Sequence, residues 1–392
     1  MGGGGVKAAA YHIGVCMALQ QKGFYFSGGH KTLSFSQQNK KLPIEVYVGS
    51  SAGSFIASIL ASGKPIEALI KAFNLGLSEA VLTSFGAEPE SSESDLKTIR
   101  YRNLFNLNND RIFKFIPNFL KEDNWIGGGV ESFLKKGFKL NGLFTTEGLE
   151  KYLNNHVLDV TSFDELASEL YIVASQLNHP QKVIFGPKVK SNLKLNNSIY
   201  LENAPISRAV SASSAVPPVF APVEITVENE SFILYDGEIR DTLSTHIAAD
   251  VGADLIISAF SIQPYKHSKN FGSLHKLGIP AIINQAIYQI LEQKVSKHIE
   301  SDKQKVSLFN KISMLLDAEG ASIELKNSVL QLIRQELNFN ENIETIYISP
   351  RPQDHEMFFA DHFSLNSKIL EKTVKIGFKS ALNVLRQYEF ET

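Results

Sequence analysis

Apolar positions along the chain fall into two kinds of block. Ile44 to Val48 (IEVYV), Tyr171 to Ala174, Val183 to Phe185, Phe232 to Tyr235, Leu255 to Ser258 and Thr345 to Ser349 are brief runs, several rich in β-branched residues, and they predict strands. Longer stretches between them carry helical spacing. Ile13, Cys16 and Met17 recur at i, i+3, i+4 behind Gly2 to Gly5, and Gly23 is a stop signal. Ser54 to Ser62 closes on Gly63, and Pro65 suits the first position of a further helix. Thr146 to Asn155, Ile279 to Glu300, Ser322 to Leu337 and Ser367 to Tyr388 also read as helices. Short apolar strands alternating with helices predict an α/β protein with a mainly parallel sheet. The Lys- and Glu-rich stretch 292–311 reads as a solvated helix face.

Composition narrows the classes. The chain has 392 residues, 43% of them hydrophobic, which suits one large folded domain or two ordinary ones. A net charge of −2 gives no basic field for nucleic acid, so no nucleic-acid partner is expected. The one cysteine, Cys16, excludes an internal disulfide framework and a cysteine zinc cluster. No apolar run approaches the roughly 20 residues that span a bilayer, and no signal peptide is visible. Met1-Gly2 hints at myristoylation, but Val6 stands where Ser or Thr is wanted. The expected location is cytoplasmic or peripheral to a membrane.

Candidate chemistry starts at Gly49-Ser50-Ser51-Ala52-Gly53. A strand precedes this turn and a helix follows it, the context in which Gly-x-Ser-x-Gly presents a nucleophilic serine, here Ser51. Gly49 and Gly53 allow close backbone approach, and the helix N-terminus favours developing negative charge. The run Gly3-Gly4-Gly5 opens a helix and offers unhindered amides for an oxyanion. It is also compatible with a flexible tail or a phosphate loop. A dinucleotide fingerprint is met only formally by Gly3, Gly5 and Ala8, with no acidic residue before Glu45. For the base, His355 and His362 lie late in the chain without a clear post-strand context. Asp236 follows a strand-like run and precedes Gly237, so it sits at a strand end, where α/β sites gather. An Asp-Gly turn that merely closes a strand fits the same residues.

Three ordered motifs resemble the patatin-like phospholipase family: Gly3-Gly4-Gly5-Val6-Lys7-Ala8, Gly49 to Gly53, and Asp236-Gly237-Glu238. Gly142-Leu143-Phe144-Thr145-Thr146-Glu147, Ser211 to Pro217 and Gly252 to Ile257 are similar as well, so the resemblance runs to about Ser258. It implies a three-layer α/β/α fold and a Ser51–Asp236 dyad without histidine. It also implies an acyl-enzyme on Ser51 and an oxyanion hole at Gly3, Gly4 and Gly5. No cofactor or metal is implied. Three departures stand out. Ala8 replaces a glycine. Glu238 replaces a small residue, and it either raises the Asp236 pKa by like-charge repulsion or points to solvent. The family has a strand before the glycine loop, so either that strand is absent here, leaving the loop without its anchor and the sheet without a member, or the sequence starts downstream of the true beginning.

Residues 97–139 carry nine Lys or Arg against four Asp or Glu, with Phe105, Phe113, Trp125 and other aromatics interleaved. This suits either docking on an anionic lipid surface or an inward-packed subdomain. The expected organisation is a core over 1–265 with an insertion at about 77–140, then a mostly helical region over 266–392 with one late strand. The expected function is lipid acyl hydrolysis of the phospholipase A or lysophospholipase type. An acyltransferase or carboxylesterase with the same dyad, or a catalytically impaired lipid-binding or regulatory protein, remains the alternative. The sequence leaves the oligomeric state open.

Overall fold

The segment ELYIVASQ at 169–176 is buried at seven of its eight positions, because neighbouring elements cover both of its faces. It is the middle of the fold. The structure, a computed structural model, describes residues 1–32, 42–77, 96–108, 141–187, 197–269 and 271–390. The main strands are β1 (Val46–Ser50), β2 (Glu169–Gln176), β3 (Lys182–Phe185), β4 (Ser198–Leu201), β5 (Val223–Val227), β6 (Glu230–Asp236), β7 (Leu255–Ala259) and β8 (Glu344–Ile348). The main helices are α1 (Gly5–Gln21), α2 (Ala52–Ala61), α3 (Ile66–Ala72), α4 (Glu147–His156), α5 (Ile206–Ser213), α6 (Thr245–Asp250), α7 (Ile279–Ala318), α8 (Ile323–Leu337) and α9 (Ser367–Leu385).

Two strands share one edge of β2. β1 runs parallel to its first half, from Val46 opposite Glu169 to Ser50 opposite Val173. β6 runs antiparallel to its second half, with Leu234 opposite Gln176 and Asp236 opposite Ala174. β3 takes the other edge, β4 pairs with β3, and β5 pairs with β6. β7 and β8 form a separate parallel pair. Side chains of β2 alternate between two cores. Leu170, Ile172 and Ala174 join the large cluster with Phe55, Leu60, Leu153 and Val210, from α2, α4 and α5. Tyr171 and Val173 point the other way, onto Ile247 of α6. Helices therefore cover both faces, as a three-layer α/β/α fold requires.

Where a mainly parallel sheet was expected, the pairing is mixed. Among the described residues, β2–β3, β2–β6 and β5–β6 are antiparallel. The cause is local. β5 and β6 are joined through Glu228 and Asn229, both at positive φ (52° and 68°), a tight reversal that forces antiparallel pairing. β2 and β3 are joined by residues 177–181, too few for a parallel crossover.

Helix α1 is buried from Val6 to Leu19 on all sides. Its partner is α9, and the two backbones nearly touch: a Cβ on Gly14 would lie 2.0 Å from the Val374 carbonyl oxygen, and one on Gly377 would lie 2.1 Å from that of Tyr11. The C-terminal region is thus built into the core at α1 and at β7. Residues 78–95 and 109–140, which hold most of the expected insertion, lie outside the described residues. In the described part Leu96 and Ile99 join the main core and Phe105 stacks on Phe220 with ring centroids 5.6 Å apart, while Tyr101 and Leu107 are exposed.

The expected loss of an anchor is not what the structure has. The Met1 ammonium donates to Val48 O at 2.8 Å, Ser50 N–H donates to Met1 O at 3.1 Å, and Gly2 N–H donates to Ala259 O at 2.9 Å. Met1 and Gly2 therefore bridge β1 to β7. Beyond that bridge the two sheets part around a cavity of about 700 Å³ lined by Val46, Val48, Leu255 and Ile257. Replacing Gly14 with Ala should force α1 from α9 and cost about 2–3 kcal/mol by overpacking, seen as a lower urea midpoint by circular dichroism.

Candidate active site

The chain reverses sharply between β1 and α2, and Ser51 takes up the strain with φ 51° and ψ −123°. Hydrogen bonds to its backbone hold it there. Its carbonyl accepts from the Ser54 hydroxyl at 2.6 Å and the Ser54 amide at 3.0 Å. Its amide donates to the Ser213 hydroxyl at 2.9 Å, which in turn donates to Val173 O at 2.6 Å. Ser213 thus ties the turn to the junction on β2. Gly53 is obligatory at its position, since a Cβ there would lie 2.1 Å from Met1 O.

The register of β2 brings Asp236 beside Ser51, because Ser50 and Asp236 face the consecutive residues Val173 and Ala174. Asp236 is 2% exposed. Burial pushes its carboxyl up to about 6, while hydrogen bonds from the Ser51 hydroxyl and the Glu238 amide, the latter 2.8 Å, pull it back.

The glycine loop passes directly over this pair. A Cβ on Gly3 would lie 2.8 Å from the Cβ of Ser51, so only glycine lets the backbone come so close. The Gly2 carbonyl accepts from His12 Nε2 at 2.7 Å, and burial lowers the His12 pKa to about 3, so the ring is neutral with its proton on that nitrogen. The Ser261 hydroxyl donates to Gly3 O at 3.1 Å. Gly4 adopts φ 130° and caps α1. The amides of Gly4 and Gly5 lie in the first turn of α1, where no intrahelical acceptor exists.

Glu238 does not point to solvent. It is buried, and its Oε2 accepts from Gly3 N–H and from the Ser50 hydroxyl, both at 2.6 Å. Burial raises its pKa to about 8, against the pull of those two donors, with Asp236 adding to the rise. Its Oε1 has no partner among the described residues. One amide of the expected oxyanion hole, that of Gly3, is therefore already bonded, which leaves Gly4 and Gly5.

Lys7, noted only as part of a motif, is fully buried and donates to Tyr288 Oη at 3.0 Å, Met357 O at 2.6 Å and Ala360 O at 3.3 Å. Burial lowers its pKa to about 7. His362 lies against the glycine loop: its carbonyl accepts from Lys7 N–H at 3.4 Å, a Cβ on Gly5 would lie 2.5 Å from that oxygen, and its ring meets Tyr288 Oη at 3.2 Å. His355 packs against Tyr265 and Phe271. A narrow apolar cavity of about 70 Å³ opens at Ser51, walled by Gly5, Phe55, Phe73, Phe105, Phe220 and Phe363 among others.

The family model for patatin-like phospholipase matches residues 1–249, more than half of the chain. No curated protein sequence matches. The fold and this match define an enzyme of the lipid acyl hydrolase class. The chain belongs to the patatin-like phospholipase family. No helix among the described residues is long and apolar enough to cross a membrane.

The Glu238 bonds generate a prediction. Glu238→Ala leaves the Gly3 amide and the Ser50 hydroxyl buried without an acceptor and should cost about 2–4 kcal/mol in urea unfolding. Glu238→Gln keeps a carbonyl oxygen at that point and should recover at least half of the loss.

Proposed function

We propose that the protein hydrolyses carboxylic esters of lipids, in the manner of a phospholipase A or lysophospholipase, with Ser51 as nucleophile and Asp236 as general base. The observation that carries this reading is the meeting of β1 and β6 end to end on β2, beneath the glycine loop. The Ser51 oxygen attacks the ester carbonyl while its proton passes to Asp236. The tetrahedral oxyanion is held by the amides of Gly4 and Gly5 at the start of α1, where the helix dipole adds to their pull. The intermediate collapses, the C–O bond to the alcohol breaks, and Asp236 returns the proton to the departing oxygen. Water then attacks the acyl-enzyme with Asp236 again as base, and the fatty acid leaves. The aromatic cavity beside Ser51 suits an acyl chain rather than a charged head group, and it must widen to admit one.

A carboxyl with a pKa of about 6 is ionised at neutral pH and still basic enough to accept a proton. Below that pH Asp236 is protonated and cannot act, so kcat/KM should fall about tenfold per pH unit on the acid side. A pH–rate profile without that limb contradicts the assignment. Ser51→Ala should abolish both ester hydrolysis and labelling by a fluorophosphonate, and Asp236→Asn should lower kcat by a factor on the order of 10³ or more. Undiminished hydrolysis by Asp236→Asn would place the base elsewhere. The bond from Gly3 to Glu238 favours a second reading, a lipid-binding or regulatory protein of reduced activity. A wild-type chain that binds lipid but takes no fluorophosphonate label supports that reading instead.

A further inference from the structure

The first three turns of α7 present Ile279, Ile282, Ile283, Ile287 and Ile290 to solvent, at 72%, 48%, 54%, 48% and 57% exposure. Their spacing of i, i+3, i+4, i+8 and i+11 places them in one stripe along the helix. Such a stripe normally faces a core. Here the core is on the opposite side, where Tyr288, Leu291 and Val295 are buried. The roll of the helix is fixed independently by Gln285, whose side chain accepts from the Tyr265 amide at 2.8 Å and donates to the Tyr265 carbonyl at 3.0 Å. The isoleucines are therefore held outward by both packing and hydrogen bonds.

The charges around the stripe say what covers it. No charged residue occurs from Leu277 to Leu291. Lys276 precedes the stripe, and Lys297 continues its line two turns further on, while Lys294 on the same line donates to Ile239 O at 2.5 Å. Across residues 261–297 there are five lysines and one acid, Glu292, in a chain of net charge −2. Glu292 lies about 150° around the helix from the centre of the stripe, away from that line. A second copy is a poor match, because pairing these faces two-fold would bring lysines against lysines.

We propose that the N-terminal half of α7 docks the protein on an anionic membrane, with the isoleucines in the acyl boundary and the flanking lysines at the head groups. This surface does not include residues 97–139 and does not depend on which residues cleave the ester. The test is co-sedimentation of the full chain with vesicles of ether-linked phosphatidylcholine, with and without ether-linked phosphatidylglycerol, which carry no carboxylic ester to hydrolyse. The expected result is binding to the anionic vesicles that falls about tenfold or more in Ile283→Ser/Ile287→Ser, two apolar anchors having been removed. Lys276→Gln/Lys297→Gln should lower the preference for anionic over neutral vesicles several-fold. Hydrolysis of a soluble short-chain ester should stay unchanged in both variants, which separates failed docking from failed catalysis. Wild-type binding that the serine pair leaves intact overturns the proposal. So does a wild-type dimer in light scattering that the serine pair splits, since the stripe then belongs to a second copy.

Discussion

One edge of one strand organises the candidate site. A strand edge offers hydrogen-bonding positions at a fixed repeat of about 3.3 Å per residue, and here two strands running in opposite directions use it up from both ends. β1 stops at Val173 and β6 stops at Ala174. The turn after β1 and the last residue of β6 then have no choice but to be neighbours. The Val173 carbonyl marks the joint: it accepts from Ser213, and a Cβ on Gly237 would lie 2.1 Å from it. A slip of one residue in either strand would turn its side chains to the opposite face and separate the pair. The geometry is thus fixed by main-chain register and does not rely on flexible side chains.

The strand ends and α1 together bring several ionisable groups into a water-poor space, and burial disfavours the charged form of each. Burial raises both carboxyls, Asp236 to about 6 and Glu238 to about 8, while each is pulled back by the donors it accepts from. Burial lowers His12 and Lys7 in the same way, and Lys7 meets that cost with three hydrogen bonds. Environments that drive the pKa values of neighbouring acids apart are a common way to give each a different task. Glu238 serves as a hydrogen-bonded tie between the glycine loop and β1.

The parts of this arrangement that were legible in the sequence are those encoded locally. Gly49 to Gly53 between an apolar run and a helix gave Ser51 its place, and Asp236-Gly237 after a second apolar run marked a strand end. The antiparallel pairing was hidden because the turn between β5 and β6 is Glu228-Asn229, without the glycine that usually announces such a reversal. Helix α7 was expected to end at Glu300 and continues to Ala318, since no breaker occurs before Gly320. The roles of Ser50, His12, Ser213 and Glu238 are long-range, and nothing near them in sequence reveals a partner some 10 to 235 positions away. A carboxylate reads as solvated until the fold shows otherwise.

Helix α1 has a consequence in time as well as in space. The glycine loop opens this helix, and the helix is seated by Lys7 on Met357 and Ala360 and by its own backbone on α9. The loop leaves the ribosome well before those supports do. It must wait for residues 357–385 before it is seated, because Lys7 reaches acceptors 350 and 353 positions away, and contacts of such range form slowly. Until α9 and its neighbours have packed, the turn at Ser51 stands without the backbone that passes over it. The fold thereby makes the candidate site a late product of assembly.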